Sequence, residues 1–173
     1  MTRVVRLLML AFLVLLTSAR AAQQVAAPRA GTLVEATVAS AALKRNLLGD
    51  PGESGVAIYL PPNYATSPER RYPTLYLLHG YVTGVEVFGA RAGTPGFQGM
   101  QLVATMDGLI GRGAAREMIV VVPNGRNAYF GSFYTNSSVT GGWEDFIAHG
   151  VQLKVRLNSD RLDGRFRGWN TQC

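Results

Sequence analysis

Cysteine is nearly absent from this chain: among 173 residues there is one, Cys173, at the last position. A single thiol closes no internal bridge, and a terminal residue is a poor place for a nucleophile, so neither a disulfide scaffold nor thiol chemistry is expected. Histidine is scarce as well. His79 and His149 are the only two, with no His-Glu-x-x-His spacing and no clustered carboxylates, so no zinc site is read. The segment Gly111-Arg112-Gly113 leads into Ala114, Ala115 and then a strand rather than a helix, so it is no dinucleotide fingerprint, and no cofactor is expected. Repeats and low-complexity tracts are missing too.

A charge excess in the body of the chain is also lacking. The formal net charge is +6, but Arg3, Arg6 and Arg20 lie in the first 21 residues. Lys154, Arg156, Arg161, Arg165 and Arg167 lie in the last 23, against Asp160 and Asp163. Residues 22–150 carry nine basic and nine acidic side chains, which gives no electrostatic case for nucleic acid.

Long hydrophobic runs are limited to Leu7 through Leu16, about half of the roughly 20 apolar residues a membrane span needs. Preceded by Arg3 and Arg6 and followed by the small residues of Ala19-Arg20-Ala21, this run reads as a signal peptide over residues 1–21, with the mature chain starting at Ala22. A periplasmic or extracellular location follows, with membrane contact only through the leader before cleavage. Residues 22–31 read as a linker.

What is present is a chain with 47% apolar residues, enough for one domain with a core. Val34, Ala36 and Val38 alternate with Glu35 and Thr37, and Val56, Ile58 and Leu60 alternate again before Pro61 and Pro62; these are two strands expected to pair antiparallel across the turn-rich Gly49-Asp50-Pro51-Gly52. Thr74 to Leu78 and Met118 to Val122 are continuous apolar runs, as in interior strands of a parallel sheet. Leu102, Met106, Leu109 and Ile110 recur at helical spacing between them, so a βαβ unit is predicted. Asn124 to Gly142 is a long glycine-rich, aromatic loop at the carboxyl edge of that sheet, where open α/β proteins place ligands; its aromatics read either as a ligand surface or as core beneath the loop. Trp143-Glu144-Asp145-Phe146-Ile147 reads as a helix start; Glu144 and Asp145, adjacent on it, are a solvated first turn rather than an acid/base pair. Val151, Leu153, Val155 and Leu157 then alternate at strand period.

Five segments carry a resemblance: Tyr59-Leu60-Pro61-Pro62-Asn63-Tyr64; Tyr72-Pro73 with Leu77-Leu78-His79-Gly80; Val122-Pro123-Asn124-Gly125-Arg126-Asn127; Tyr134-Thr135-Asn136-Ser137; and Trp143-Glu144-Asp145-Phe146. In this order the chain resembles the putative-esterase family of α/β-hydrolases, the group of feruloyl esterases and S-formylglutathione hydrolases, over residues 32 to about 149. The resemblance implies an α/β fold, the amino-terminal and incomplete portion of an α/β-hydrolase, with a mixed, mostly parallel sheet and flanking helices. It implies hydrolysis of small-molecule esters by a Ser-Asp-His triad, with one backbone N–H of the oxyanion hole supplied by Tyr81 after Gly80. A residue without Cβ at position 80 lets the strand turn sharply enough to aim that N–H. His79 is expected to brace the turn, and Asn124, Tyr129, Phe133, Tyr134 and Asn136 are expected in a substrate loop.

The reactive half of the triad is not in these residues. No Gly-x-Ser-x-Gly occurs; Ser132, in Gly131-Ser132-Phe133-Tyr134, lies in the loop that precedes the nucleophile's strand in the family, and neither His79 nor His149 is in the late position of the family's histidine. Ser132, Ser137 and Ser138 are therefore read as loop or turn residues and the chain as inactive by itself. At Ala148 or His149 the resemblance ends, the period switches and the charge turns basic together, which a shifted reading frame or a truncated gene would explain; residues 150–173 are read as a divergent basic tail. The strand ending at Leu78 is expected to keep one bare edge, open to self-association or to a strand from a second chain. A different class stays open beside these readings: a secreted, non-catalytic protein that binds through the aromatic loop 129–134.

Overall fold

A computed structural model describes residues 29–152. Strands β1 (Thr32–Ala39), β2 (Glu53–Leu60), β3 (Thr74–Tyr76) and β4 (Ile119–Pro123) form one mixed sheet in the order β1-β2-β4-β3. β1 and β2 pair antiparallel from Thr32 opposite Leu60 to Ala39 opposite Glu53, as their alternation predicts. β2 runs antiparallel to β4, and β3 runs parallel to β4 with helix α2 (Leu102–Gly111) between them in the chain, the expected βαβ unit.

Both faces of the sheet are covered, and the pleat assigns residues to them. Val38, Val56, Ile58, Leu60, Ile119 and Val121 pack on one side with Leu43, Trp143, Phe146 and Val151. Ala57, Tyr59, Val120 and Val122 pack on the other with Val85, Ala90, Leu102 and Met106. All of β4 is buried, which is what its unbroken Ile119-Val120-Val121-Val122 run requires.

Two strands differ from their sequence pattern. β2 reads as half-buried by alternation, yet Ala57 and Tyr59 are as buried as Val56 and Ile58, because β2 is a central strand with side chains packed on both of its faces. The run Thr74 to Leu78 reads as interior, but only Thr74–Tyr76 is strand, and Leu75 (46%) and Leu78 (44%) are exposed because β3 is the last strand of the sheet. Among the described residues no strand pairs with its other flank.

The short helix α1 (Ala41–Lys44) has no counterpart in the sequence pattern; Ser40 caps it, its Oγ accepting from the Ala42 N–H at 3.2 Å. Within the loop after β4, β5 (Asn136–Ser137) and β6 (Gly141–Gly142) form a two-residue hairpin. Helix α3 (Trp143–Asp145) starts where predicted and continues as a π-helical turn, Phe146–Val151. Val151 is therefore helical and fully buried against Leu43 and Phe146 rather than in a strand; the remaining positions of that predicted strand, 153–157, lie outside the described residues. Among the described residues no helix is long and apolar enough to cross a membrane.

Two polar clasps secure the edges. Asp107 on α2 accepts the Gly31 N–H on both carboxylate oxygens, at 3.0 and 2.9 Å, and the Tyr59 hydroxyl at 2.7 Å. A Cβ at position 31 would come 2.3 Å from the Tyr59 ring, so glycine is what lets the chain enter β1 there. Below β4, the buried Glu117 carboxylate accepts the Asn63 amide at 2.7 Å and pairs with Arg70, whose guanidinium lies 4.8 Å over the Tyr72 ring.

Candidate active site

Because β3 and β4 are parallel neighbours, the loops leaving their carboxyl ends meet above the sheet. Their main joint is His79, 5% exposed. Its Nε2 accepts the Gly125 N–H at 2.8 Å, which places the ring proton on Nδ1, 2.9 Å from the Gly80 carbonyl oxygen. Both ring nitrogens are thus engaged by backbone, which ties the turn after β3 to the loop after β4.

Tyr134 adds the second joint. Its hydroxyl accepts the His79 backbone N–H at 3.1 Å, and its ring meets the His79 ring edge-on at 5.7 Å. Burial pushes the Tyr134 phenol up to about 12, partly opposed by the hydrogen bond from His79. A Cβ on Gly125 would lie 2.5 Å from the Tyr134 ring, so the Asn124-Gly125 step leaves the space that this ring fills.

Tyr81 makes the third. Its ring stacks on Phe133 at 5.2 Å and 13°, and the Val82 N–H donates to the Phe130 carbonyl at 3.2 Å. Gly131 is buried beneath the Tyr81 ring, where a Cβ would come within 2.8 Å of Cδ2. Arg126, next to Gly125, pairs with Glu86 at 3.8 Å and lies 6.0 Å over the Phe130 ring.

The two loops are backbone-strained as well as clasped. Val82 (φ 58°), Phe130 (67°), Phe133 (53°) and Tyr134 (53°) are all left-handed, leaving Gln98 as the only other non-glycine residue with positive φ among the described ones. Each such residue costs about 1–3 kcal/mol, which these loops recover through their mutual contacts.

The loops enclose a pocket of about 190 Å³ lined by His79, Gly80, Tyr81, Gly125, Gly131, Ser132, Phe133 and Tyr134. Tyr81 lines it, and its N–H has no hydrogen-bond partner among the described residues. Such an N–H, on a turn held from several sides, can receive a carbonyl oxygen or a developing oxyanion.

Of the residues singled out by sequence, His79, Gly80, Tyr81, Phe133 and Tyr134 come together here. Asn124 does not line the pocket; its N–H donates to the Gly55 carbonyl at 2.8 Å and its carbonyl accepts the Ser54 hydroxyl at 2.7 Å, so it fastens the loop to β2. Asn136 is exposed on β5, its Oδ1 accepting the Asp145 N–H at 3.2 Å at the start of α3. Tyr129 is 56% exposed and outside the lining. Asn127, quoted only as part of a motif, holds the loop instead, its Oδ1 accepting the N–H groups of Tyr129 at 2.9 Å and Gly131 at 3.1 Å.

Ser132, set aside as a turn residue, is 3% exposed and lines the pocket. Its Oγ accepts the Tyr134 N–H at 3.2 Å, as in a serine turn, while the His79 ring nitrogens are engaged by Gly80 and Gly125 instead. Its place between Gly131 and two aromatic residues was the available signal. Among the described residues no group of three or more His, Cys, Asp or Glu side chains could hold a metal.

Comparison with solved structures gives a ferulic acid esterase at a TM-score of 0.59 and 22% identity, covering 76% of this chain and 46% of that one. A second, designated FAE, matches at 0.51 and 20% identity, covering 75% of this chain and 37% of that one. A ferulic acid esterase of Anaeromyces mucronatus follows at 0.49 and 15% identity, covering 78% and 46%. This chain thus spans less than half the length of each of these structures, and at these identities the likeness speaks for the fold. No curated protein sequence matches the chain. The sequence model described as "Putative esterase" matches residues 51–161, from the turn before β2, through both site loops, to beyond α3. With a matched span of more than half its residues, this chain belongs to the putative-esterase family, an α/β-hydrolase type of fold represented here in part.

Proposed function

We propose that this chain carries the oxyanion side of the active site of an exported carboxylic ester hydrolase acting on small-molecule esters of aromatic acids. The observation that carries the proposal is Tyr81, which lines the pocket and whose N–H has no hydrogen-bond partner among the described residues, on a turn fixed by His79, Tyr134 and Phe133. An ester carbonyl seated there would gain its strongest hydrogen bond as its oxygen becomes negative. The stacked Tyr81 and Phe133 rings suit a flat acyl group beside it, and the names of the structural neighbours support that class. Export rests on the leader-like residues 1–21.

A serine within these 173 residues is not the nucleophile of this proposal. The full chain alone is expected to leave p-nitrophenyl acetate at the buffer rate. Turnover well above background, abolished by Ser132→Ala, would sink this reading. Titration with ferulate should move the Tyr81 amide resonance of the ¹⁵N-labelled chain.

The exposure of Phe133 (74%), Tyr129 (56%) and Phe130 (54%) favours a second reading, binding without catalysis through residues 129–134. It predicts that ferulate shifts the resonances of Tyr129 and Phe130 while the Tyr81 amide stays in place. A third, complementation across the bare flank of β3 by a strand from another chain, predicts that the supplying chain co-purifies and restores turnover.

A further inference from the structure

The peptide between Gly80 and Tyr81 is held by two donors. Its carbonyl oxygen lies 2.9 Å from His79 Nδ1, which carries the proton, and accepts the Thr83 hydroxyl at 2.9 Å. The same planar unit carries the Tyr81 N–H, and in a trans peptide the C=O and N–H point in opposite directions. Fixing the oxygen therefore fixes the direction of the N–H of this pocket-lining residue.

We propose that Thr83 is a positioning residue for the Tyr81 N–H, acting through the Gly80 carbonyl; this rests on the reading of that N–H as the oxyanion donor. Thr83 does not line the pocket, so it reaches a bound ligand only through this peptide. Its approach to Gly80 depends on the residue between the two ends of the turn. Val82 is left-handed at φ 58°, which folds the chain back on itself, and its N–H is tied to the Phe130 carbonyl. Two hydrogen bonds to the carbonyl also polarise the amide, making the N–H on its far side a stronger donor. His79 supplies one of them from the core side and Thr83 the other from the solvent side. The ligand oxygen this peptide suits is that of a carboxylate product or of the tetrahedral oxyanion that precedes it.

The test is a titration of the full ¹⁵N-labelled chain with ferulate, a carboxylate probe, for wild type, Thr83→Val and Thr83→Ser. Wild type should show the Tyr81 amide moving on saturation. Thr83→Val should bind about fivefold to tenfold more weakly, the worth of one hydrogen bond, with the free Tyr81 amide already displaced and the melting temperature unchanged. Thr83→Ser, which keeps the hydroxyl, should restore both the affinity and the resonance position. If wild type responds and Thr83→Val titrates identically, the positioning role is overturned while the site reading stands. A loss of melting temperature that parallels the loss of affinity and is not rescued by serine would reduce Thr83 to a structural residue and also overturn it. No response of the Tyr81 amide in wild type would remove both readings.

Discussion

The Gly125 N–H donates to His79 Nε2 across 2.8 Å, and this one bond ties the loop leaving β4 to the loop leaving β3. Both partners are buried, so neither has water to fall back on.

Replacing the imidazole should therefore be costly in stability. His79→Ala leaves the Gly125 N–H without its acceptor and opens space beside Tyr134; a loss of about 2–4 kcal/mol is expected from the unmet donor and the cavity together. Urea unfolding would read it. A change below about 0.5 kcal/mol, the level of an ordinary surface substitution, would contradict the bracing role.

Gly131→Ala tests the seating of Tyr81. The new methyl would lie 2.8 Å from the Tyr81 ring, forcing it off Phe133. The near-ultraviolet circular dichroism of the stacked pair should weaken, and ferulate affinity should fall with it. Retention of both would show that Tyr81 can be held without this stack.

The phenol of Tyr134 gives a pH dependence. Folding raises it from 10.0 to about 12, so above pH 10 the unfolded chain releases a proton that the folded chain keeps. The unfolded state then binds fewer protons, and stability falls as pH rises from 10 towards 12, having been constant below that window as far as this group is concerned. Burial and the Asp107 carboxylate also push the Tyr59 phenol upward, in the same sense. Tyr134→Phe should flatten the alkaline decline measured by thermal melts between pH 9 and 12; an unchanged slope would assign the decline elsewhere.

Asp107→Ala strips partners from the Gly31 N–H and the Tyr59 hydroxyl at once. A destabilisation of about 2–4 kcal/mol is expected, since the two deprived donors lie at a packed helix–sheet junction. Asp107→Asn, which keeps a carbonyl acceptor, should recover part of it. Equal losses in both variants would show that charge rather than hydrogen bonding matters there.

Leu75, 46% exposed on the last strand, tests association through the sheet edge. If copies pair through β3, Leu75→Lys should shift sedimentation towards monomer at high concentration, because a charged edge resists strand addition. A sedimentation profile identical to wild type would dissociate any oligomer from this strand.

The sequence displayed the framework because its strands and its long helix each carry a period: β1 alternates, β4 is unbroken and α2 repeats every three or four residues. It misassigned exposure where burial depends on neighbours rather than on period. Ala57 and Tyr59 are small or polar-tipped and look outward-facing, but α2 covers them; Leu75 looks central, but nothing pairs beyond it among the described residues. The turn His79-Gly80-Tyr81 was legible through the family resemblance, with a glycine where the chain has to turn sharply. Thr83 and Gly131 were not, because each touches a segment remote in sequence or folded back by a left-handed residue, and neither leaves a periodic mark. The family likeness, which reaches residue 161, is not confined to the residues before the change in pattern at 148–149.

Because β2 runs against β4, its two ends serve different parts of the molecule. Val56 sits opposite Pro123, where the loop leaving β4 begins, and Tyr59 opposite Val120, towards the end where Glu117, Asn63 and Arg70 meet. The proposed site and the Glu117 cluster thus lie at opposite poles of a strand whose middle is fully enclosed. Substitutions at the Glu117 pole can be combined with those around Tyr81 and read as independent effects, which makes that pole the place to raise stability without retuning the pocket.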